Sequence, residues 1–299
     1  MALWIVSDAC CDLPVSYINA QTAFKVVPMA YQLNGESKMI DPLDDHPAET
    51  AHIFYESLRE GGVATTMQIN QQNWMDQVKP LMNEGHDVLM LVFSSGLSGT
   101  YMAAQLAVQE LAPAYPGQKL YAVDTFSASM GEGLLVHHVL RFRDSGKSFE
   151  ECRDFALQTV TQINHWFTVD DLQFLRRGGR VSAASAYLGG ILKIKPILNV
   201  DSEGHLIPRE KVQGRRKSLR ALYQMAEKYA DHPEAQTMFI SHGDAPQEAQ
   251  WLADELRTGL HVPETLISSI GPIIGAHSGP GTVALFFLCK NSAGRLSKG

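Results

Sequence analysis

The sequence has few of the features that mark secreted, zinc-stabilised or membrane-spanning proteins. Its 299 residues include four cysteines, Cys10, Cys11, Cys152 and Cys289, and no C-x-x-C pair. Neither a disulfide framework nor a structural zinc site is therefore expected. No segment approaches the about 18 consecutive apolar residues of a membrane-spanning helix, and the apolar run before Ser7 is too short for a signal peptide. We expect a soluble, cytoplasmic protein.

Basic residues are also fewer than acidic ones. Lysine and arginine total 25 against 32 aspartate and glutamate residues, which gives a formal net charge of -7. Proteins that bind nucleic acid or anionic membranes usually carry a basic excess. We therefore expect no nucleic-acid partner and no stable membrane insertion. A hydrophobic content of 45% is ample for one large or two ordinary domains.

The common phosphate-binding and catalytic motifs are missing. Gly131 and Gly133 begin a dinucleotide fingerprint, but its third glycine is replaced by Val136, and no G-x-x-x-x-G-K sequence occurs. Residues 96–100 read GLSGT and miss the G-x-S-x-G nucleophile elbow by one position. Dinucleotide binding, P-loop chemistry and serine hydrolysis therefore lack their usual signatures.

The first half of the chain alternates strand-like and helical segments. Apolar runs at 88–93 and 120–123 lead into hydroxyl-rich and glycine-rich segments at 94–101 and 124–133, and helical patterns follow. Successive βα units of this kind predict a parallel sheet in a three-layer α/β/α domain, which we place at residues 1–163. Polar residues at the carboxyl ends of such strands are well placed to bind a ligand.

The second half predicts a two-layer, mixed-sheet α/β domain at residues 164–299. Residues 193–200 and 206–212 are strand-like and flank the segment 201–204, which reads DSEG. This chemistry predicts a hairpin turn and not a metal-binding loop. Helices are predicted at 182–192, 218–229 and 247–258, and strands at 237–241, 265–270 and 283–288.

Residues 271–281 contain four glycines and two prolines among eleven residues. Glycine permits close backbone approach and proline fixes neighbouring turns, so we expect a rigid loop lined by backbone. Its one ionisable side chain is His277. Two interpretations stay open: His277 hydrogen-bonds an anionic or carbonyl group of a ligand, or it stabilises a tight structural turn.

Taken together, these segments resemble the DegV family. The motifs at residues 7–14, 94–101, 124–133, 175–182 and 271–281 occur in the family's order, and the resemblance runs from about residue 3 to about residue 288. It implies a two-domain, DegV-like α/β fold that binds a fatty acid without catalysing a reaction. The carboxylate would be bound near the domain interface and the acyl chain in an apolar tunnel within the first domain. Neutral hydroxyls and helix N-termini suit a carboxylate, because both donate hydrogen bonds.

The resemblance also implies particular ligand contacts. The family segment Thr-Thr-Ser-Gln-Pro-Ser is matched at Thr65, Thr66 and Gln68, whereas Met67, Ile69 and Asn70 depart from it. We expect Thr66, Ser95 and His277 to contact the carboxylate, with Ser94 and Thr65 as further candidates. The candidate tunnel residues are Phe24, Val26, Met29, Phe93, Leu97, Met102, Leu106, Met130 and Leu134.

Family members of the fatty-acid kinase type present their ligand to a separate kinase subunit that forms an acyl phosphate. By resemblance, Arg180, Lys211 or Arg215 would help dock such a partner. No metal and no cofactor besides the bound fatty acid are expected.

Two other functions remain open. One is an enzyme, either a hydrolase with a hydroxyl activated by His277 or a kinase-like enzyme, since the fold also resembles dihydroxyacetone kinases. The other is a regulatory lipid sensor that binds lipid without any phosphorylation.

Overall fold

The computed structural model describes residues 2–44, 47–181 and 194–289. The described strands are β1 (Leu3–Asp8), β2 (Phe24–Val27), β3 (Ala30–Leu33), β4 (Glu36–Met39), β5 (Ala64–Thr66), β6 (Asp87–Val92), β7 (Leu120–Asp124), β8 (Ile163–Thr168), β9 (Ile194–Val200), β10 (Leu206–Gln213), β11 (Thr237–His242), β12 (Glu264–Ser269) and β13 (Val283–Leu288). The described α-helices are α1 (Val15–Asn19), α2 (Pro47–Arg59), α3 (Gln71–Asn83), α4 (Thr100–Leu111), α5 (Met130–Asp144), α6 (Phe149–Val160), α7 (Gln173–Arg177), α8 (Arg215–Tyr229), α9 (Pro246–Leu260) and α10 (Pro272–Ser278). The predicted helix at 182–192 and the first residue of the predicted strand at 193–200 lie outside the described residues.

A parallel sheet with strand order β2-β1-β6-β7 occupies the first part of the chain. Strand β6 lies inside it, and its residues 88–92 are completely buried. Helices α3 and α4 pack together against β6, and α5 and α6 do the same. A nearly continuous apolar strand is what a parallel sheet covered by helices requires. The predicted parallel α/β architecture is confirmed.

A separate mixed sheet has the strand order β10-β9-β8-β13-β11-β12. Its neighbours run antiparallel except β11 and β12, which are parallel. Helices α8 and α9 cover it with a core that includes Trp166, Leu222, Leu252 and Phe287. Helix α5 contacts β1 and β6 of the parallel sheet and also β8, β11 and β13 of the mixed sheet. It therefore packs against both sheets. The domain boundary at residues 163 and 164 stays a prediction, and β8 begins beside it.

A small antiparallel sheet, with strand order β4-β3-β5, was not predicted. The alternating apolar pattern of residues 24–33 predicts a single strand, and that prediction is wrong because β2 and β3 belong to different sheets. Pro28 follows β2 directly, and proline has no N–H with which to continue a ladder. The third sheet matters because β5 ends at Thr66.

The glycine-rich segment at 271–281 is a helix over most of its length, so the predicted loop is wrong. Helix α10 has Pro272 at its first position, where the missing N–H has no helical partner to lose. Gly279 follows the helix at a φ of 77°, a conformation that glycine adopts without steric cost. His277 therefore lies in the last turn of a helix. Within the described residues, no helix is both long enough and apolar enough to cross a bilayer.

Candidate functional site

A cavity of about 430 Å³ lies among residues of the parallel sheet, the mixed sheet and α10. Most of its lining is apolar. The apolar lining comprises Met29, Met67, Phe93, Leu97, Ala128, Phe167, Leu175, Val200, Leu206, Ile270, Ile273, Ile274, Ala284 and Phe286. Residues of both predicted domains contribute to this wall. The size and lining suit a largely apolar ligand.

Several polar side chains also line this cavity, and we call three of them, Thr66, Arg180 and His277, the polar cluster. Thr66 Oγ1 and His277 Nε2 are 2.9 Å apart and share a hydrogen bond. The end of β5 positions Thr66, and the last turn of α10 positions His277. The Arg180 guanidinium donates from Nε to the carbonyl oxygen of Leu97 at 3.2 Å. The cluster thus joins three separate segments of the chain.

The surroundings of His277 keep its imidazole neutral. Burial, assisted by the positive charge of Arg180, lowers the pKa of His277 to about 4. Its Nδ1 atom is buried without a hydrogen-bond partner. A Cβ atom at position 178 would lie 2.2 Å from that Nδ1, so the imidazole packs directly over Gly178. Because residue 178 is glycine and has no Cβ atom, the imidazole ring of His277 can occupy this position.

A second cavity of about 340 Å³ shares part of its lining with the first. All three residues of the polar cluster line both cavities. The exposed residues Thr65 and Arg177 also line it, so it reaches the protein surface. The polar cluster therefore lines both a largely apolar cavity and a second cavity that reaches the surface. This arrangement places the donors where an acidic head group would meet a long apolar tail.

A family model described as "uncharacterised protein, DegV family" matches residues 2–290. The chain belongs to the DegV family. It is 37% identical over 284 residues to a DegV domain-containing protein of Clostridium perfringens, which covers 95% of this chain and 96% of that protein. The family predicted from the motifs is confirmed.

Solved DegV structures share the fold. A fatty-acid-binding DegV family protein from Thermus thermophilus has 28% identity and a TM-score of 0.85, covering 97% of this chain and 100% of the other. The Fatty Acid Kinase B3 protein of Streptococcus pneumoniae, loaded with linoleic acid, has 20% identity and a TM-score of 0.83, with the same coverage. At that lower identity the likeness concerns the fold alone.

The structure of this DegV chain brings only some of the predicted ligand contacts together. Thr66 and His277 meet, as described above. Ser94 is fully buried, and its Oγ donates to the carbonyl oxygen of Gly204 at 3.0 Å. Ser95 is exposed, and its N–H donates to Asp124. Neither serine lines the cavity, whereas Thr65 is exposed and lines the second cavity.

Sequence reasoning missed Ser98, which does line the DegV cavity. Its Oγ is 2.9 Å from Thr100 Oγ1 and accepts the N–H of Thr100 at 3.3 Å, at the start of α4. The signal was present in the sequence. A serine two residues before a helix presents its hydroxyl at the helix N-terminus, whereas serines directly after the strand can turn toward its neighbours.

The predicted tunnel residues divide into three groups. Met29, Phe93 and Leu97 line the cavity. Phe24, Val26, Met130 and Leu134 are buried but do not line it. Met102 and Leu106 are 59% and 42% exposed and line neither cavity, so their assignment to the tunnel is wrong. They share the outer face of α4, and the small residues Ala103, Ala104 and Ala107 form its buried face.

The predicted docking residues occupy different places. Arg180 belongs to the polar cluster. Lys211 is exposed on β10. Arg215 donates to the carbonyl oxygen of Gly281 and lies 3.6 Å from Asp170 and 3.5 Å from Glu248. The structure therefore does not bring Lys211 or Arg215 into the polar cluster, and their docking role stays a prediction.

The buried carboxyl group of Asp12 connects two chain segments that border the cavity. Asp12 Oδ1 accepts the N–H of Gly271 at 2.9 Å, just before α10, and Asp12 Oδ2 accepts the hydroxyl of Ser129 at 2.5 Å, just before α5. Burial raises the pKa of Asp12 to about 7, although these hydrogen bonds act in the opposite direction. Ser129 itself lines the cavity. Asp12 thus links the segment after β1 to the two helices beside the site.

Proposed function

We propose that this DegV chain binds a long-chain fatty acid, with its acyl chain in the 430 Å³ cavity and its carboxylate at the polar cluster. The observation that carries the proposal is the position of Thr66, Arg180 and His277 in the wall of a largely apolar cavity. The fatty-acid-binding protein from T. thermophilus supports it, because it is 28% identical and has the same fold. A DegV protein from Thermotoga maritima, 29% identical with a TM-score of 0.82, is likewise described as lipid binding.

The energetics favour an enclosed acyl chain. Removing about 14 methylene groups from water at about 0.8 kcal/mol each gives on the order of 11 kcal/mol before losses of chain entropy. A buried carboxylate costs several kcal/mol unless it is paired and hydrogen-bonded. The guanidinium of Arg180 supplies the opposite charge, and the Thr66 hydroxyl supplies a donor. The cavity and the polar cluster therefore make complementary contributions to binding.

The finer part of the proposal is that the chain presents the carboxylate to a separate kinase subunit. Phosphorylation needs an ionised carboxylate that a second protein can reach. The neutral imidazole of His277 does not protonate the ligand at neutral pH, and the second cavity gives access from the surface beside Arg177. The S. pneumoniae neighbour is a Fatty Acid Kinase protein, but its likeness extends to the fold alone.

Native mass spectrometry of the protein as expressed tests the binding proposal. We expect one co-purifying fatty acid per chain, and His277→Ala should retain less lipid while remaining folded. A lipid-free wild-type protein that takes up no added fatty acid would contradict the proposal. Turnover of acyl esters or of ATP by the isolated chain would instead favour the enzyme alternatives.

The kinase step has its own test. The lipid-loaded chain is incubated with ATP and a fatty-acid kinase subunit, and acyl phosphate is trapped with hydroxylamine. Trapped acyl hydroxamate that depends on both proteins supports presentation. Tight lipid binding without any phosphorylation would favour the sensor alternative.

A further inference from the structure

The turn between β9 and β10 brings together three side chains that can bind a metal ion, Asp201, Glu203 and His205. His205 Nδ1 lies 3.5 Å from Asp201 Oδ1 and 3.6 Å from Glu203 Oε2. One potential ligand atom from each residue lies within 4.8 Å of the other two. One imidazole nitrogen and two carboxylate oxygens form a donor set that suits Zn²⁺, with water as a fourth ligand.

The buried carboxylate of Asp201 is the observation that favours a cation. Asp201 is 1% exposed, and its Oδ1 accepts the N–H groups of Glu203 and His205, each at 2.9 Å. Its Oδ2 is buried without a hydrogen-bond partner, as is Nδ1 of His205. A buried carboxylate oxygen left without a partner is costly. A divalent cation in the cluster would give the orphaned imidazole nitrogen a ligand bond and offset the charge of the two carboxylates.

A second cluster with a similar donor set is less suitable. His52, Glu56 and Asp244 also come within 4.8 Å of one another. There, however, Arg59 already forms ion pairs with both Glu56 and Asp244. A cation at that place would have to displace a guanidinium. The ion pair found for Asp201 is with His205 and not with a guanidinium.

The turn is packed against the first sheet and beside the cavity. Ser94, which follows β6 closely, donates from Oγ to the carbonyl oxygen of Gly204 at 3.0 Å. A Cβ atom at Gly96 would lie 2.6 Å from the carbonyl oxygen of Glu203. Val200 and Leu206, on either side of the turn, line the cavity. A change in the conformation or rigidity of this turn would therefore affect the cavity wall.

We propose that Asp201, Glu203 and His205 bind a divalent transition-metal ion of the zinc class. The bound ion orders the β9–β10 turn, which packs against the loop after β6, and in this way acts as a clamp on one wall of the cavity. The sequence pattern alone predicted a hairpin without metal; the hairpin is confirmed, and the orphaned oxygen of Asp201 is visible only in the structure.

Isothermal titration of the chelator-treated, dialysed protein with ZnCl₂ tests this site. We expect one Zn²⁺ per chain and a higher melting temperature on addition of the metal. Glu203→Gln and His205→Gln should each weaken binding by at least about tenfold, since loss of an outer-shell partner alone costs that much at many metal sites. These two residues are more exposed than Asp201, so the variants should fold even if Asp201→Asn does not.

His52→Gln is the matched control, because it removes an imidazole from the other cluster and should leave the titration unchanged. The proposal is overturned if the wild type shows no stoichiometric binding. It is also overturned if Glu203→Gln and His205→Gln bind as the wild type does.

The clamp has a second readout that rests on the proposed function. Release of a fluorescent fatty acid should be at least about twofold faster from the metal-free protein than from the Zn²⁺-loaded protein, since the metal orders a wall of the cavity. Stoichiometric Zn²⁺ binding with unchanged release would retain the metal site and overturn the clamp. Failure of the protein to bind fatty acid would affect only this second readout.

Discussion

The polar cluster combines two neutral side chains, Thr66 and His277, with the positively charged side chain of Arg180. His277 has a pKa of about 4 because of burial and the nearby Arg180, so at neutral pH its imidazole accepts or donates one hydrogen bond without carrying charge. Thr66 shares a hydrogen bond with it at 2.9 Å. Arg180 supplies the positive charge. A carboxylate at this place would be bound without being protonated.

Replacing Thr66 by valine tests the hydroxyl contact. Thr66→Val removes one donor and keeps the β-branched shape at the end of β5, so the strand should be preserved. A hydrogen bond to a charged group contributes about 1.5 to 3 kcal/mol, and we expect roughly tenfold to hundredfold weaker fatty-acid binding. Competition with a fluorescent fatty acid measures this change in binding affinity. Thr65→Val is the control, because Thr65 is exposed and does not line the apolar cavity; equal losses in both variants would contradict the role of Thr66.

A substitution at Gly178 tests the packing of His277. Gly178 has a φ of -72°, which alanine adopts freely, but a Cβ atom there would lie 2.2 Å from His277 Nδ1. Gly178→Ala should push the imidazole away from Thr66 and weaken lipid retention at least about fivefold. Equilibrium binding and circular dichroism together separate this effect from unfolding.

Gly117→Ala is the matched control for that experiment. A Cβ atom at Gly117 meets nothing within 4 Å. If Gly178→Ala and Gly117→Ala retain lipid equally well, the imidazole can move without loss of binding, and its assigned role is wrong.

At the scale of elements, the position of α10 decides the site. Asp12 accepts the N–H of Gly271 at the start of this helix, and Tyr55 of α2 donates to the carbonyl oxygen of Ile270 at 2.9 Å. Hydrogen bonds with two other segments of the chain therefore fix the start of α10. His277 follows within two turns of that point and has little freedom to move.

The buried carboxyl of Asp12 predicts a pH dependence. Its pKa is raised from 3.8 to about 7, so in this range the folded state binds a proton more tightly than the unfolded state. The stabilising contribution of the protonated form is therefore lost as pH rises through this window. Asp12→Asn keeps an acceptor for Gly271 and cannot ionise. We expect the free energy of unfolding of the wild type to fall between pH 5 and pH 8 by roughly 2 to 3 kcal/mol more than that of the variant.

Urea unfolding across this pH range makes the measurement. Asp8 and Glu132 also have raised pKa values because of burial, and both remain in the variant. They contribute to both curves, but the charge of Asp12 also helps to raise the pKa of Glu132, so the difference between the two proteins reports on Asp12 together with this coupling. Parallel curves would show that Asp12 is not the group responsible.

Local patterns predicted most of the elements but not the contacts between them. The apolar run of β6 and the helical spacing of α9 depend on neighbours in sequence, and each was located within about two residues. The two serines after β6 show the limit. Whether Ser94 faces a ligand or Gly204 depends on the β9–β10 turn, which is 110 residues away. No local pattern contains that information.

Helix α10 shows a different limit. Glycine and proline are poor helix formers in the interior of a helix, so their density at residues 271–281 indicated a loop. In the structure, Pro272 starts the helix and Gly275 allows a close approach to Tyr55, since a Cβ atom there would lie 2.5 Å from the tyrosine hydroxyl. Tertiary packing outweighs the intrinsic propensity.

At the scale of the whole molecule, the cavity depends on two sheets facing a shared helix. Helix α5 contacts strands of both sheets, and Ser129, just before it, lines the cavity together with Phe167 and Phe286 of the mixed sheet. The sequence predicted both sheet types. It did not predict that both would contribute to one cavity, since that depends on their packing.

The length of the bound acid should respond to the size of this cavity. Ala284 on β13 lines the cavity, and Ala284→Leu adds three carbon atoms to its wall. We expect the preferred fatty acid to become shorter by about three carbons, because each buried methylene contributes about 0.8 kcal/mol only where space remains. Binding of a series of saturated acids measures the shift. Leu106→Ala, on the exposed face of α4, should leave the preference unchanged, and an equal shift in that variant would place the acyl chain elsewhere.

The most direct test of the account is carbon-13 NMR of palmitate labelled at its carboxyl carbon and bound to this chain. We predict one bound carboxyl resonance that is distinct from free palmitate and that moves in Thr66→Val but not in Thr65→Val. A bound resonance that is the same in the wild type and both variants would show that the carboxylate lies away from the polar cluster, and the account would be wrong.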